Sequence, residues 1–332
     1  MAGELETDKN LESIFHPYAL RQMEEFVNKQ RDQTQASFVH YTSAEAALRI
    51  LEKKRIWMRN VTCMSDYSEV KLGFSLLNEV LFGANQEGLN ALNEALVGCA
   101  EGAAEEAIQF FNKWWTDIRF STYITSISEH DESEDQHGRL SMWRAFGGTD
   151  VRVAIVFKFP FSLLHGKVFN LVVSPVAYLR KEQVKEQFLM VVKNIHDHRD
   201  FLKSVGREKI VNYVFNMLVA GVTCLKHEGF KEEREWRLIY APNRWPSQLI
   251  ERSTEVIKGI PQIVYKIPFD AKAPSAPDAL SQLDLARLFD HLIIGPALYP
   301  FSMLEAFGTV LQNAGVSEPE KRIVLSDIPI RM

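Results

Sequence analysis

An α+β fold is what the sequence predicts. Strand-like and helix-like segments are interspersed without the regular βαβ rhythm of a doubly wound sheet. Short runs rich in Val, Ile, Phe and Thr, at 120–128, 151–159 and 168–177, read as strands. Long stretches rich in Leu, Ala and Glu, at 67–82 and about 87–116, and again at 180–203 and 206–225, read as helices.

Taken in order, residues 10–31 predict a helix, because Leu11, Ile14, Phe15, Leu20, Met23 and Phe26 roughly keep a 3.6-residue period, with Pro17 as an interruption. A short strand over 37–41 follows. Thr42 and Glu45 then have the T-x-x-E spacing of a capping box, and Ala47, Leu48 and Leu51 share a face of the helix behind it. Residues 56–58 form a further extended piece. The segment 129–136 is acidic, has no apolar residue and reads as a mobile loop. A short helix is expected over 140–146, ended by Gly147 and Gly148. Later strands are expected at 236–241, 263–268, 291–295 and 322–325, with a helix over 301–314 and an Ala/Pro/Ser-rich loop over 270–282. The organisation expected is an N-terminal helical extension over 1–36 and one α+β domain over 37–332, with helical insertions at about 67–116 and 180–225.

With 332 residues and 46% apolar residues, the chain can bury a large core. A formal charge of −5 gives no broad field for nucleic acid or membrane, so nucleic acid is not indicated as a partner by charge. The basic residues between 199 and 209 alternate with acids and read as a solvated helix face. Cys63, Cys99 and Cys224 are widely spaced and odd in number, which disfavours a disulfide framework or a Cys-rich zinc site. Residues 1–10 lack the basic and apolar parts of a signal peptide, and no apolar run reaches the roughly 20 residues of a membrane span. A cytoplasmic protein is the simple expectation.

Four constellations can carry chemistry. His40-Tyr41-Thr42 stands at a strand-to-helix junction, where an imidazole can bond a ligand hydroxyl; Thr42 as a mere helix cap is the alternative. Asp66 and Glu69 lie three apart before a helix and serve equally as a cap. Ser126 and Ser128 offer hydroxyls at a strand end, followed by Trp143, which can stack on a flat ring or fill a core, and Arg144. Lys226 precedes Glu233, Glu235 and Arg237, which on a strand point to one face, either into a cleft or into solvent. His196 and His198 lie two apart in a helix and diverge, so no metal is expected there or elsewhere.

As an ordered set these motifs resemble the bacterial domain-of-unknown-function family twenty-nine seventy-one. The resemblance rests on residues 40–42, the D-x-x-E of 66–69, the SIS of 126–128, Met142-Trp143, Lys226, the E-x-E-W-R of 233–237, the IIGP of 293–296 and the closing LSDIP of 325–329. Ser65 stands where the family often has Asn, and Phe146 where it often has Tyr.

A looser likeness is to the ADP-ribosyltransferase fold, where an early-strand His, a hydroxyl-bearing strand and a late Glu follow in that order. That likeness implies a bent, split mixed β-sheet around an NAD cleft. It further implies Glu235 as the carboxylate stabilising an oxocarbenium-like ribose, and Glu233 as the group that orients or deprotonates the acceptor. His40 would bond the adenosine-side ribose, Ser126 or Ser128 the nicotinamide ribose, Tyr41 or Trp143 would stack, and Arg144 or Arg237 would meet the pyrophosphate. NAD would be consumed as a substrate, with an unspecified acceptor, as in a toxin or antiphage effector. The demand is that Glu235 and His40 face one cavity with room for a dinucleotide between them; side chains on opposite sides of the sheet, or a gap filled by packed aliphatics, would remove the basis for NAD chemistry and leave the family resemblance. The alternatives are a non-catalytic module binding a nucleotide or a protein, and a metal-dependent nuclease with Asp66, Glu69, Glu233 and Glu235 around Mg²⁺.

Overall fold

The computed structural model describes residues 2–30, 34–64, 67–145, 151–161, 167–270 and 283–329. Its first elements are α1 (Ala2–Phe15), α2 (Pro17–Lys29), β1 (Gln35–Ser43), α3 (Ala44–Lys53), β2 (Arg55–Asn60), α4 (Tyr67–Leu96) and α5 (Ala103–Ser121). Next come β3 (Tyr123–Glu129), α6 (Leu140–Ala145), β4 (Arg152–Pro160), β5 (Val172–Pro175), β6 (Ala177–Tyr178), α7 (Lys181–Asp197), α8 (Arg199–Val205) and α9 (Arg207–Thr223). The last are β7 (Leu225–Lys226), β8 (Glu235–Tyr240), β9 (Glu251–Ile257), β10 (Ile260–Pro268), α10 (Leu285–Leu288), β11 (Phe289–Ile294), α11 (Pro300–Asn313) and β12 (Ile323–Leu325). The fold is α+β. No helix among the described residues is long and apolar enough to cross a membrane.

The chain divides into two compact units, each built from three stretches. One unit, 1–28, 61–121 and 174–231, is mainly helical and gathers most of the N-terminal helical segment with the helices expected near 67–116 and 180–225. Its helices α4 and α9 approach closely at Gly73, where a Cβ would lie 2.6 Å from the Val222 carbonyl oxygen. Phe74 stacks on Trp115 with ring centroids 4.0 Å apart. The break expected between helices near 83–86 falls inside the α4 span: Asn85 and Gln86 are left-handed at φ 62° and 64°, and Gly88 comes to lie against the backbone of Val80, which a straight helix would hold about 12 Å away. The basic stretch after 199 is more than a solvated face. Arg199 donates from Nε to the Ala95 carbonyl at 2.9 Å and Arg207 to that of Glu101 at 2.9 Å. Arg199 so caps the last turn of α4, where carbonyls lack helical partners and the dipole favours a cation.

Pro17 ends α1 as the sequence predicts, and His16 occupies the break. The imidazole borders a cavity of about 150 Å³ lined by Phe15, Leu77, Phe188 and Val191, and burial lowers its pKa from 6.5 to about 4. Between these values the unfolded chain binds the proton and the folded chain does not, so stability falls as pH drops from 6.5 towards 4. The loss is up to about 3 kcal/mol at ~1.4 kcal/mol per pH unit. Urea midpoints measured from pH 7 to pH 4 are expected to flatten in His16→Gln; an unchanged slope would contradict this.

The other unit, 29–60, 122–173 and 232–332, holds the sheet. Strand order is β12-β11-β4-β1-β3-β2-β10-β9, with β8 paired to β3 and β5 paired to β8. β11 and β12 run parallel, while β1 runs antiparallel to β4 over its whole length, Gln35↔Pro160 to Ser43↔Arg152. β3 is shared unequally. One edge pairs with β8 from Tyr123↔Tyr240 to Ser128↔Glu235. The other edge is divided between β2, at Arg59↔Ile124 and Asn60↔Tyr123, and β1, at Phe38↔Glu129 and Val39↔Ser128. Between those two short ladders the sheet forks.

Both faces near the fork are apolar. On one, Phe38 meets Trp236 edge-on with centroids 5.3 Å apart, and Phe157 lies against Phe269. On the other, Val39, Tyr41, Ala154, Val156 and Ile293 pack on Met142 and Trp143 of α6. The cap of α3 is Ser43, whose hydroxyl accepts from the Ala46 amide, and not Thr42, which is still paired with Val153 in the ladder. The sequence does not predict β9. Its residues, ERSTEVI, are polar and alternate in exposure on an edge strand, which blunts the hydrophobic signal. Phe146 to Gly148, Ser65 and Asp66, and the loop expected at 270–282 for all but its first residue, lie outside the described residues.

Candidate functional site

A small set of buried polar groups is embedded in the apolar surroundings of the fork. β8 begins at Glu235, so Glu235 and Arg237 share a face while Trp236 points to the other. Ladder pairing sets Ser128 opposite Glu235 and Ser126 opposite Arg237. The Ser126 hydroxyl donates to Glu235 Oε1 at 2.5 Å. Arg237 donates from Nε to the same oxygen at 2.8 Å and from Nη2 to Oε2 at 3.2 Å. Glu235 is 5% exposed and Arg237 1% exposed. A carboxylate at that depth is costly unless ion-paired and hydrogen-bonded, as it is here.

His40 reaches this group from β1. Its Nδ1 lies 2.9 Å from the backbone carbonyl oxygen of Ser126. A carbonyl only accepts, so Nδ1 carries the proton and Nε2 is left as an acceptor. Burial holds its pKa below the usual histidine value, with the Ser126 carbonyl opposing in part, so the ring is neutral near pH 7. One relation differs from the sequence expectation. Val39 lies opposite Ser128, so His40 leaves the sheet on the face opposite to Glu235. The two side chains do not look across one face into a common cavity. They meet at the fork, linked through the main chain and side chain of Ser126.

Other expected roles shift as well. Glu233 ends a 3-10 turn and precedes β8, with left-handed Arg234 (φ 45°) between it and Glu235. The alternation expected to align Glu233 with Glu235 therefore does not extend to it. Tyr41 and Trp143 are buried and pack edge-on at 4.9 Å, each against the other rather than as a surface for a ligand ring. Burial pushes the Tyr41 phenol up to about 12, with Arg139 opposing. Thr42 stays in the β1 ladder and Arg144 is exposed on α6. Glu69 pairs with Lys226, Nζ to Oε1 3.1 Å, within the helical unit.

Arg139 was not picked out by any sequence motif. It clasps Glu134 through Nε at 3.0 Å and Nη2 at 2.9 Å, and donates to the carbonyls of Glu233 and Glu129 at 2.8 Å each. Its amide donates to the Tyr41 hydroxyl at 2.8 Å. Arg234 also pairs with Glu134. The acidic loop, expected to be mobile, is thus anchored by buried charge beside β8. Its far end is fixed too: the carbonyl of His137 accepts from Trp143 Nε1 at 2.8 Å and from the Ser326 hydroxyl at 2.7 Å. Ser326 belongs to the closing LSDIP motif, which gives that motif a positioning role.

Gly138 (φ 66°) makes the turn, and a Cβ there would fall 2.4 Å from Trp143 Cζ2. Gly138→Ala is expected to cost about 1–3 kcal/mol from overpacking alone. It should also displace the indole, detected as a lower urea midpoint with a shifted tryptophan emission; a silent substitution would contradict the packing.

Residues 142–238 match the model of a family described as protein of unknown function, DUF2971. The match contains Met142-Trp143, Lys226, Glu235 and Arg237. No curated protein and no solved structure matches the chain.

Proposed function

We propose that this chain, which through residues 142–238 belongs to the DUF2971 family, is an NAD-consuming protein of ADP-ribosyltransferase-like architecture. Glu235 is its charge-stabilising carboxylate. The observation that carries the reading is the hydrogen-bonded set His40–Ser126–Glu235–Arg237 at the fork. The divided edge of β3 supports a split sheet, with β5, β8 and β3 to one side and β1, β4 and β11 to the other.

Cleavage of the nicotinamide–ribose bond develops positive charge at the ribose carbon. A carboxylate already oriented by Ser126 and Arg237 needs little reorganisation to stabilise that charge. His40, with Nδ1 protonated, offers Nε2 to a ribose hydroxyl. His40 and Glu235 belong to opposite faces, so the shared cavity demanded of NAD chemistry is not met on either face; the reading stands only if a dinucleotide reaches both groups edgewise at the fork, where the β1–β3 ladder ends at Val39↔Ser128. Nicotinamide release from NAD, with and without cell lysate as a source of acceptor, tests the reading. Wild type should release nicotinamide and Glu235→Gln should not.

A second reading has its own support. Glu235 is deeply buried and held on both oxygens by Arg237, as suits a non-catalytic module that binds a nucleotide. That module would retain NAD unaltered under the same conditions.

A further inference from the structure

A different cluster, within the sheet unit and independent of NAD chemistry, has the donor set of a metal centre. His130 follows β3, Asp135 closes the 3-10 turn over Glu132–Glu134, and His291 lies in β11. One donor atom from each lies within 4.8 Å of the other two. His130 Nε2 is 2.7 Å from Asp135 Oδ1, and His291 Nε2 is 3.6 Å from that same oxygen. The imidazoles are nearly enclosed, at 3% and 10% side-chain exposure, while Asp135 is 45% exposed and gives access from solvent.

His291 supplies the observation that points to a ligand. The residue is 8% exposed, and its Nε2 is buried without a hydrogen-bond partner. Its Nδ1 lies 2.8 Å from Asp290 Oδ2. A carboxylate there accepts the Nδ1 proton, which turns the Nε2 lone pair towards Asp135. A buried lone pair turned towards a carboxylate is electrostatically unfavourable, and a cation bound between them relieves the repulsion. The carboxylate–histidine pair behind the ring is the usual outer partner of a metal-bound imidazole. Asp290 is itself held by Lys158 Nζ at 2.7 Å.

We infer that His130, Asp135 and His291 form a binding site for a divalent first-row transition ion, with zinc the best fit to two imidazoles and one carboxylate. Three protein ligands leave a fourth position open for water or another ligand. Bonds of about 2.0–2.1 Å in tetrahedral geometry set donors roughly 3.3 Å apart, so the widest pair has to close by about 1.5 Å at most. The exposed Asp135 arm can supply that movement. No ligand motif in the sequence marks the site, because His291 lies far along the chain from His130 and Asp135.

Titration of the full, tag-free, chelator-treated chain with Zn²⁺, Co²⁺ and Mg²⁺ tests the inference. One equivalent of Zn²⁺ should bind and raise the melting temperature. Co²⁺ should give visible absorption of a four-coordinate site, and Mg²⁺ should do neither. Asp135→Asn, on an exposed side chain that is safe for folding, and His291→Gln should each weaken Zn²⁺ binding at least 100-fold. Asp290→Asn, which removes only the outer partner, should weaken it 10- to 100-fold. Zn²⁺ affinity unchanged in Asp135→Asn and His291→Gln, no saturable Zn²⁺ binding to wild type, or preference for Mg²⁺ would each overturn the assignment. NAD turnover does not enter these readouts, so either idea can fail without the other.

Discussion

Arg237→Ala is expected to be among the most destabilising single substitutions in the sheet unit, at about 3–5 kcal/mol, the usual cost of breaking a buried ion pair from one side. The guanidinium touches both oxygens of Glu235 and is 1% exposed, so alanine leaves a void and removes the cation that compensates a buried carboxylate. Lysine should rescue little, because a single ammonium cannot reproduce two parallel N–H contacts to the carboxylate. Replacing Arg237 and Glu235 together by apolar residues of similar volume should cost less than Arg237→Ala alone. Chemical denaturation of the three variants measures this. A loss below about 1 kcal/mol for Arg237→Ala would mean that the pair is not buried as described.

The largest expected effect on activity belongs to Glu235→Gln. Glutamine keeps the shape, an oxygen for the Ser126 hydroxyl and an acceptor for Arg237, but removes the negative charge. Nicotinamide release should therefore fall about 100- to 1,000-fold, the magnitude associated with losing one preorganised stabilising group at the transition state. Ser126→Ala, which only loosens the carboxylate, should have a smaller effect. Comparable rates for wild type and Glu235→Gln, both above background, would assign any cleavage to some other group.

Much of the sheet was legible in the sequence because its central strands are apolar and β-branched. β1 and β4 were recognisable from their own residues, and Pro17 marked a helix end through its ring alone. Polar edge strand β9 carried no such signal. The cap at Ser43 in place of Thr42 turns on where the β1–β4 ladder stops, which is a tertiary fact. Of the candidate site, the residue types Ser126, Glu235 and His40 could be proposed from order and chemistry. Their facing could not, because it depends on the two-pair ladder between β1 and β3. Arg139 eluded the sequence for the same reason: its acceptor on Glu233 lies 94 residues away. Glu233 falls outside the expected alternation because left-handed Arg234 breaks it one residue before β8 begins.

The central claim is that the fork is a dinucleotide site organised by Glu235. A crystal structure of the protein with a non-cleavable NAD analogue tests it most directly. The analogue is expected to enter edgewise between β1 and β3, with its nicotinamide-side ribose carbon about 3.5 Å from the Glu235 carboxylate and a ribose hydroxyl on His40 Nε2. An analogue bound away from the fork, or a saturated crystal in which Ser126 and Arg237 still enclose Glu235 and no nucleotide reaches it, would contradict it.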